Sequence, residues 1–172
     1  MEIRTQRLVL KPLELEYLQT TFHYTSDIEN TRYMTNLPNE TIEEVREFIL
    51  SAETEWQKES PSFYEFVILL DNTHIGAVNL SLDESRSTGE LGWILDKRYW
   101  KKGYGYEAAQ AVLNYAIETL GIHHFVAHCD SENTGSFRIM EKLGMHLTDR
   151  YPGRQNRSSR EAREECRYTL NL

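Results

Sequence analysis

The sequence predicts a mixed α/β (α+β) fold, a central sheet of about seven strands flanked by about four helices. Three observations predict it. Apolar runs at Phe63–Leu70 and His74–Leu80 flank the turn pair Asp71-Asn72, which reads as an antiparallel hairpin. Ala109, Val112, Leu113, Ala116, Ile117 and Leu120 recur at helical spacing and end at Gly121, which reads as an amphipathic helix with its cap. A short buried strand, His124–Cys129, follows at once.

The remaining elements follow in chain order. Ile3–Leu10 alternates as a strand does and ends at Lys11-Pro12. Leu13–Tyr24 reads as a helix, and Asn36-Leu37-Pro38-Asn39 as a turn. Thr41 with Glu44 three residues on forms a capping box. Ile42, Val45, Phe48 and Ile49 continue at helical spacing, so a second helix runs to about Lys58 and Pro61 ends it. Leu91–Leu95 is a strand, Ser136–Leu143 a short helix stopped by Gly144, and Met145–Tyr151 and Cys166–Leu170 are the last strands. The order is β-α-α-β-β-β-α-β-α-β-β. With no internal repeat or low-complexity linker, residues 1–172 read as one domain.

Composition excludes several classes. The chain is 40% hydrophobic and 27% charged, ordinary for a globular protein. No apolar run approaches the ~18 residues of a membrane span. The opening MEIRTQRLVLK mixes acid with base and has no apolar signal core, so a cytoplasmic setting without membrane attachment is expected. Cys129 and Cys166 fit no metal spacing and read as two reduced thiols. A net charge of −8 argues against direct nucleic-acid binding.

The chemistry concentrates between Gly89 and Leu120. A strand there leads into a basic, aromatic connector, and Gly103 and Gly105 open the amphipathic helix. Two glycines let the backbone turn tightly, so that successive N–H groups can point at one anion. The helix start adds unpaired donors and a positive dipole end, and Lys101 and Lys102 add charge. That combination suits a phosphate or diphosphate. Gly103-Tyr104-Gly105-Tyr106-Glu107-Ala108 also fits the dinucleotide pattern G-x-G-x-x-A, with Asp130 near the place of a ribose-binding acid. In that fold, however, the glycines follow the strand almost directly, whereas Asp96 to Lys102 intervene here. The first eighty residues also lack repeated βαβ units.

Four blocks in order resemble the GNAT acetyltransferase superfamily, and within it the RimJ/RimL-like branch that acetylates ribosomal-protein N-termini. They are Thr5–Leu13 (TQRLVLKPL), Gly89–Leu95 (GELGWIL), Tyr99–Ala108 (YWKKGYGYEA), and Asp130–Met145 with its DSENTGSFR and EKLGM segments. The resemblance implies a sheet splayed between its fourth and fifth strands, with the pantetheine arm of acetyl-CoA in the gap. It implies that Lys101, Lys102, Gly103, Tyr104, Gly105 and Tyr106 hold the coenzyme diphosphate, and that Ile94 and Leu95 pair with the arm through their backbones. Asn133 would bind the arm near its thiol end, Lys142 is a further coenzyme contact, and Ser136 would donate a proton to the leaving thiolate. The alternative for Ser136 is a helix N-cap. Where other members carry Gln or Arg before the glycines, this chain has Trp100.

The implied reaction moves an acetyl group from a thioester to a primary amine, most of which is protonated at neutral pH, so a base is needed. Glu90 is the candidate, an acid lining the splay whose burial would raise its pKa. The alternative is an exposed strand glutamate. The acceptor is expected to be a protein N-terminus, with an aminoglycoside or polyamine as the alternative. A non-catalytic CoA-binding module is a further reading, although Asn133 and Ser136 are both retained. Homodimers occur among relatives, so a homodimer is an assembly the resemblance allows.

Other features carry less. His123, His124 and His128 lack metal spacing and read as structural, so no metal is expected. Trp56, Phe63, Tyr64 and Phe66 read as core or groove wall. Arg150, Arg154, Arg157, Arg160, Arg163 and Arg167 recur every three or four residues, but Pro152-Gly153 forbids continuous helix, so the segment reads as a solvated loop. It is longer than the short turn typical of the branch, at the place that borders the acceptor.

Overall fold

In the computed structural model, which describes residues 1–172, eight strands form one sheet in the order β1-β2-β3-β4-β5-β6-β8-β7. They are β1 (Ile3–Arg4), β2 (Leu8–Pro12), β3 (Phe63–Leu70), β4 (Thr73–Leu82), β5 (Thr88–Leu95), β6 (His124–Asp130), β7 (His146–Arg154) and β8 (Arg163–Asn171). The helices are α1 (Leu18–Thr25), α2 (Ile42–Trp56), α3 (Tyr104–Leu120) and α4 (Thr134–Lys142). Helix number agrees with the sequence reading. The extra strand arises because Ile3–Leu10 is broken by Thr5-Gln6-Arg7. Thr5 closes that turn, its amide donating to the Leu8 carbonyl at 3.0 Å and its hydroxyl accepting the Leu8 amide at 2.9 Å.

The Asp71-Asn72 turn has φ of 48° and 63°, the paired left-handed geometry of a two-residue hairpin that Asp and Asn tolerate. Thr41 caps α2 by accepting the Glu44 amide at 3.4 Å. The Glu44 carboxylate reaches back to the Glu40 amide rather than to that of Thr41, so the capping box is displaced by one residue. The helix ends at Trp56, two residues before the expected Lys58.

Every neighbouring pair of strands is antiparallel except β5 and β6. These two run parallel and pair at only three positions, Thr88 with His124, Gly89 with Phe125 and Glu90 with Val126. Beyond Glu90 they separate, while β5 stays paired to β4 through Leu95. The splay implied by the resemblance is therefore present between these two strands.

The sheet's alternation sorts its side chains into two layers. On one face Phe66, Val78, Leu80, Leu91, Phe125 and Cys129 pack against α3 and α4 through Ala109, Val112, Leu113 and Met140. On the other, Val67 and Leu69 meet Leu18 of α1 and Val45 and Ile49 of α2. Glu65, Asn79, Glu90 and His128 alternate with the first set, so they belong to this second face.

The arginine-rich tail corrects the sequence reading. Pro152-Gly153 lies within β7, at a register shift in its pairing with β8, and Gly153 has φ of 90°. Pro152 forbids helix but not a strand that bulges past its partner. Arg150, Arg154, Arg163 and Arg167 accordingly stand on strands, and the connection is residues 155–162 alone.

Candidate active site

The connector from β5 to α3 is pinned at two points. Asp96 caps the one-turn helix Lys97–Tyr99 by accepting the Arg98 amide at 2.9 Å. The Trp100 indole N–H donates to the Leu95 carbonyl at 2.9 Å, which gives that tryptophan a structural task. Lys101 and Gly103 then both have positive φ, 61° and 85°. Left-handed residues alternating with ordinary ones turn successive amides toward one side. The N–H groups from Lys101 through Tyr106 donate to no acceptor in the protein; the first bond of α3 runs from the Glu107 amide to the Gly103 carbonyl. Six free donors at a helix start make an anion cradle.

Two long-range contacts brace the cradle. The Arg7 guanidinium donates to the Lys102 carbonyl at 3.0 Å, lies 4.5 Å from the centre of the Tyr104 ring, and pairs with Glu107 at 2.6 Å. The Thr5 hydroxyl donates to the same carboxylate at 2.7 Å. Partial burial alone would raise the Glu107 carboxyl, but the hydrogen bonds from Thr5 and Arg7 outweigh it and leave its pKa below the ordinary value. From the other side, Lys142 of α4 brings its ammonium 5.6 Å from the Tyr106 ring centre. Lys102 folds back on the Arg98 carbonyl at 3.1 Å, while Lys101 is exposed.

The splay side of β5 is open beyond Glu90. Ile94 and Leu95 pair with Ala77 and Gly76 of β4 on their other edge, so no strand of the protein meets them on this one. Across the gap, Asn133 precedes α4. It is Asn133, not Ser136, that caps the helix, its side-chain oxygen accepting the Ser136 amide at 3.2 Å. That contact fixes the Asn133 amide group by its oxygen and leaves its NH₂ free to donate. The Ser136 hydroxyl makes no hydrogen bond within the protein.

Glu90 differs from expectation. It is half exposed (51%), not buried, because it sits on the face that α1 and α2 leave uncovered. Its carboxylate accepts the Nδ1–H of His128 on β6 at 2.8 Å. Glu90 is the last paired residue before the strands part, and His128 lies two residues beyond its partner Val126. The His128 pKa is raised, chiefly by this hydrogen bond. On the same face Glu65 of β3 is buried. Burial pushes its pKa up to about 8, and one carboxyl oxygen has no partner.

Residues 30–37 span the open end of the splay. At the β5 end the Asn30 side chain accepts the Lys97 amide at 2.6 Å, and the Lys97 ammonium pairs with Asp27 at 2.9 Å and Glu29 at 2.7 Å. At the β6–β8 end the Asn156 amide group contacts the carbonyls of Thr31, Met34 and Leu37 at 2.8, 2.6 and 2.9 Å. Arg154 donates to the Tyr33 carbonyl at 3.1 Å. Arg163 pairs with Asp130 at 3.2 Å, both side chains being nearly inaccessible. The arginines of this segment are thus largely neutralised: Arg150 pairs with Glu164, Arg154 with Glu165, Arg157 with Glu44 and Arg167 with Asp149. Replacing Asn156 with alanine leaves three carbonyls without that donor, at a cost of about 1–3 kcal/mol. The expected result is faster hydrogen exchange confined to residues 30–37; unchanged exchange there would show that Asn156 does not hold the bridge.

The residues that the sequence marked for the cradle stand at the start of α3, and those that the resemblance marked, Ile94 and Leu95 on β5 and Asn133 and Ser136 at α4, stand on either side of the splay. Sequence reasoning missed Arg7, Thr5 and Glu107, whose contacts join positions about a hundred residues apart, although Thr5 and Arg7 lay inside a recognised block. It set His128 aside, since its partner is revealed only by the β5–β6 register.

Comparison with known proteins gives consistent results. The acetyltransferase (GNAT) domain family matches residues 7–146. The Bacillus subtilis protein described as uncharacterized N-acetyltransferase YnaD is 33% identical over 84% of this chain and 82% of its own. An acetyltransferase (GNAT family) from Bacillus anthracis superposes with a TM-score of 0.84 at 28% identity, covering 99% of this chain and 98% of its own. RimL, a ribosomal L7/L12 alpha-N-protein acetyltransferase crystallised with coenzyme A, superposes at 0.86 over 100% of this chain and 98% of its own; at 14% identity this is a likeness of fold alone.

Proposed function

The chain belongs to the acetyltransferase (GNAT) family and is an acetyltransferase, and from that premise we propose that it transfers the acetyl group of acetyl-CoA to a primary amine. The observation that carries the proposal is the set of six free amides from Lys101 to Tyr106 beside an unpaired strand edge. The amides take the diphosphate of acetyl-CoA, with Lys101, Lys102 and Lys142 supplying positive charge around it. Donors fixed in place before binding cost little to organise. The pantetheine arm then extends the sheet along Ile94 and Leu95. Leu95 offers its carbonyl only in part, since Trp100 already uses it. The free NH₂ of Asn133 donates to an amide carbonyl of the arm, and the Ser136 hydroxyl gives its proton to the sulfur as it leaves. Glu90 stands where basic function is needed, at the point where the strands part. Much of the acceleration comes from holding amine and thioester as neighbours.

The acceptor reading follows the RimJ/RimL-like branch: the α-amine of a protein N-terminus of the ribosomal-protein type. An extended N-terminus is slender enough to pass a cleft spanned by residues 30–37. The same bridge favours a second reading, a small linear amine such as a polyamine, over bulky acceptors such as aminoglycosides. Two free, buried cysteines suit a cytoplasmic setting.

The test is calorimetry followed by turnover. Acetyl-CoA is expected to bind and NAD to leave no heat. CoA thiol release with a panel of N-terminal peptides, polyamines and aminoglycosides then identifies the acceptor. Binding without turnover across the panel would favour a non-catalytic CoA-binding module, and absent binding would remove the proposal.

A further inference from the structure

Glu90 and His128 form a carboxylate–imidazole pair at the base of the splay, and we propose that His128 Nε2 is the atom that takes the proton from the acceptor amine, with Glu90 as its positioning partner. This rests on the acetyl-transfer reading above and specifies its base.

The geometry carries the inference. Glu90 Oε1 and His128 Nδ1 are 2.8 Å apart and join the two strands where they cease to be hydrogen-bonded to each other. A carboxylate can only accept, so Nδ1 carries the proton and Nε2 holds the free lone pair. Nε2 has no partner within the protein, whereas Nδ1 is committed. The imidazole is a quarter exposed and Glu90 half exposed (26% and 51%), so the ring is held in place yet can be reached. A fixed tautomer with an open acceptor nitrogen is what proton abstraction requires.

The step balances as follows. The nitrogen lone pair of the neutral amine forms the C–N bond to the thioester carbonyl carbon, while a proton on that nitrogen passes to His128 Nε2. The C–S bond breaks with its electron pair on sulfur, which takes the Ser136 hydroxyl proton. The serine recovers a proton from solvent, to which the imidazolium returns its own. Nothing is oxidised or reduced.

The charges facing the imidazole set its working range. Glu90 from β5 raises its pKa most, Glu165 on β8 raises it further, partial burial opposes them, and Arg167, opposite His128 on β8 and paired with Asp149 of β7, lowers it. Asp130, two residues along β6 on the same face, is paired with Arg163. The free base is therefore populated above an apparent pKa higher than the ordinary histidine value, and activity falls as pH drops through it.

The experiment follows CoA thiol release against pH with the best acceptor of the panel. The wild type is expected to show an acidic limb above pH 6.5. H128Q should lower kcat by roughly 10²–10⁴-fold, abolish the limb and leave acetyl-CoA affinity unchanged. Added imidazole should restore part of the activity of H128A, which a purely structural histidine would not allow. In E90Q the limb should move to lower pH. NMR titration of the labelled His128 ring, in wild type and E90Q, reads the same shift without turnover, so it serves even if H128Q folds poorly. An unchanged limb and kcat in H128Q, or an imidazole titration insensitive to E90Q, would overturn the pair while leaving acetyl transfer intact. A wild type that binds acetyl-CoA but acetylates nothing would overturn both.

Discussion

Replacing Gly103 with valine is expected to weaken acetyl-CoA binding by roughly 10- to 100-fold. Gly103 is the N-cap of α3 at φ 85°, in the left-handed region that a β-branched residue enters only at a cost of about 1–3 kcal/mol. The variant relaxes that strain by letting the backbone around residue 103 turn back, which swings neighbouring amides out of their common direction. Binding must then restore the cradle, and the cost appears as lost affinity. Gly121 provides the control. It ends the same helix at φ 69°, and a Cβ there meets no atom within 4 Å. Gly121→Val should lose comparable stability while keeping acetyl-CoA affinity. Equal affinity losses in both variants, read by calorimetry, would mean that the helix as a whole, and not its first turn, holds the ligand.

The second large effect concerns Glu65. Its burial raises the folded-state pKa from 4.5 to about 8, with the Asn79 hydrogen bond opposing only in part. Between those values the folded protein keeps a proton that the unfolded chain has released, so stability falls as pH rises across the window. His74 runs the other way: burial lowers its pKa to about 4, and the stability it withholds is restored by pH 6.5. Between pH 6.5 and 8, then, Glu65 acts without that opposition, and the wild type is expected to lose about 2 kcal/mol. Glu65→Gln, which has no charge to bury, should fall much less over the same range in urea denaturation, the remainder being the stability that His128 loses as it gives up its proton. Parallel curves for the two proteins would show that the carboxyl is hydrated and ionised.

Much of this fold was legible because local chemistry specified it. The Asp71-Asn72 turn, the apolar stripe of α3 and its Gly121 cap each need only neighbouring residues. The cradle was legible for the same reason, since glycines, lysines and a helix start lie within six residues. What was illegible depended on register. Nothing in His124–Asp130 taken alone says that β6 pairs with β5 for three residues and then departs. The resemblance gives the splay and not the register, so in the sequence His128 has no visible partner, and Glu90 reads as buried with an exposed glutamate as the alternative. The arginines from 150 to 167 looked like a solvated run because their acids lie elsewhere in the chain or across a hairpin. Pro152-Gly153 was read as ending regular structure, whereas a bulge near the end of β7 absorbs it.

The most direct measurement is a crystal structure of the protein with acetyl-CoA. The account predicts diphosphate oxygens about 3 Å from the amides between Lys101 and Tyr106, the arm lying against β5, and the thioester near Ser136 and the Glu90–His128 pair. A coenzyme bound with its diphosphate away from the start of α3, or that turn closed by the protein's own side chains, would contradict it.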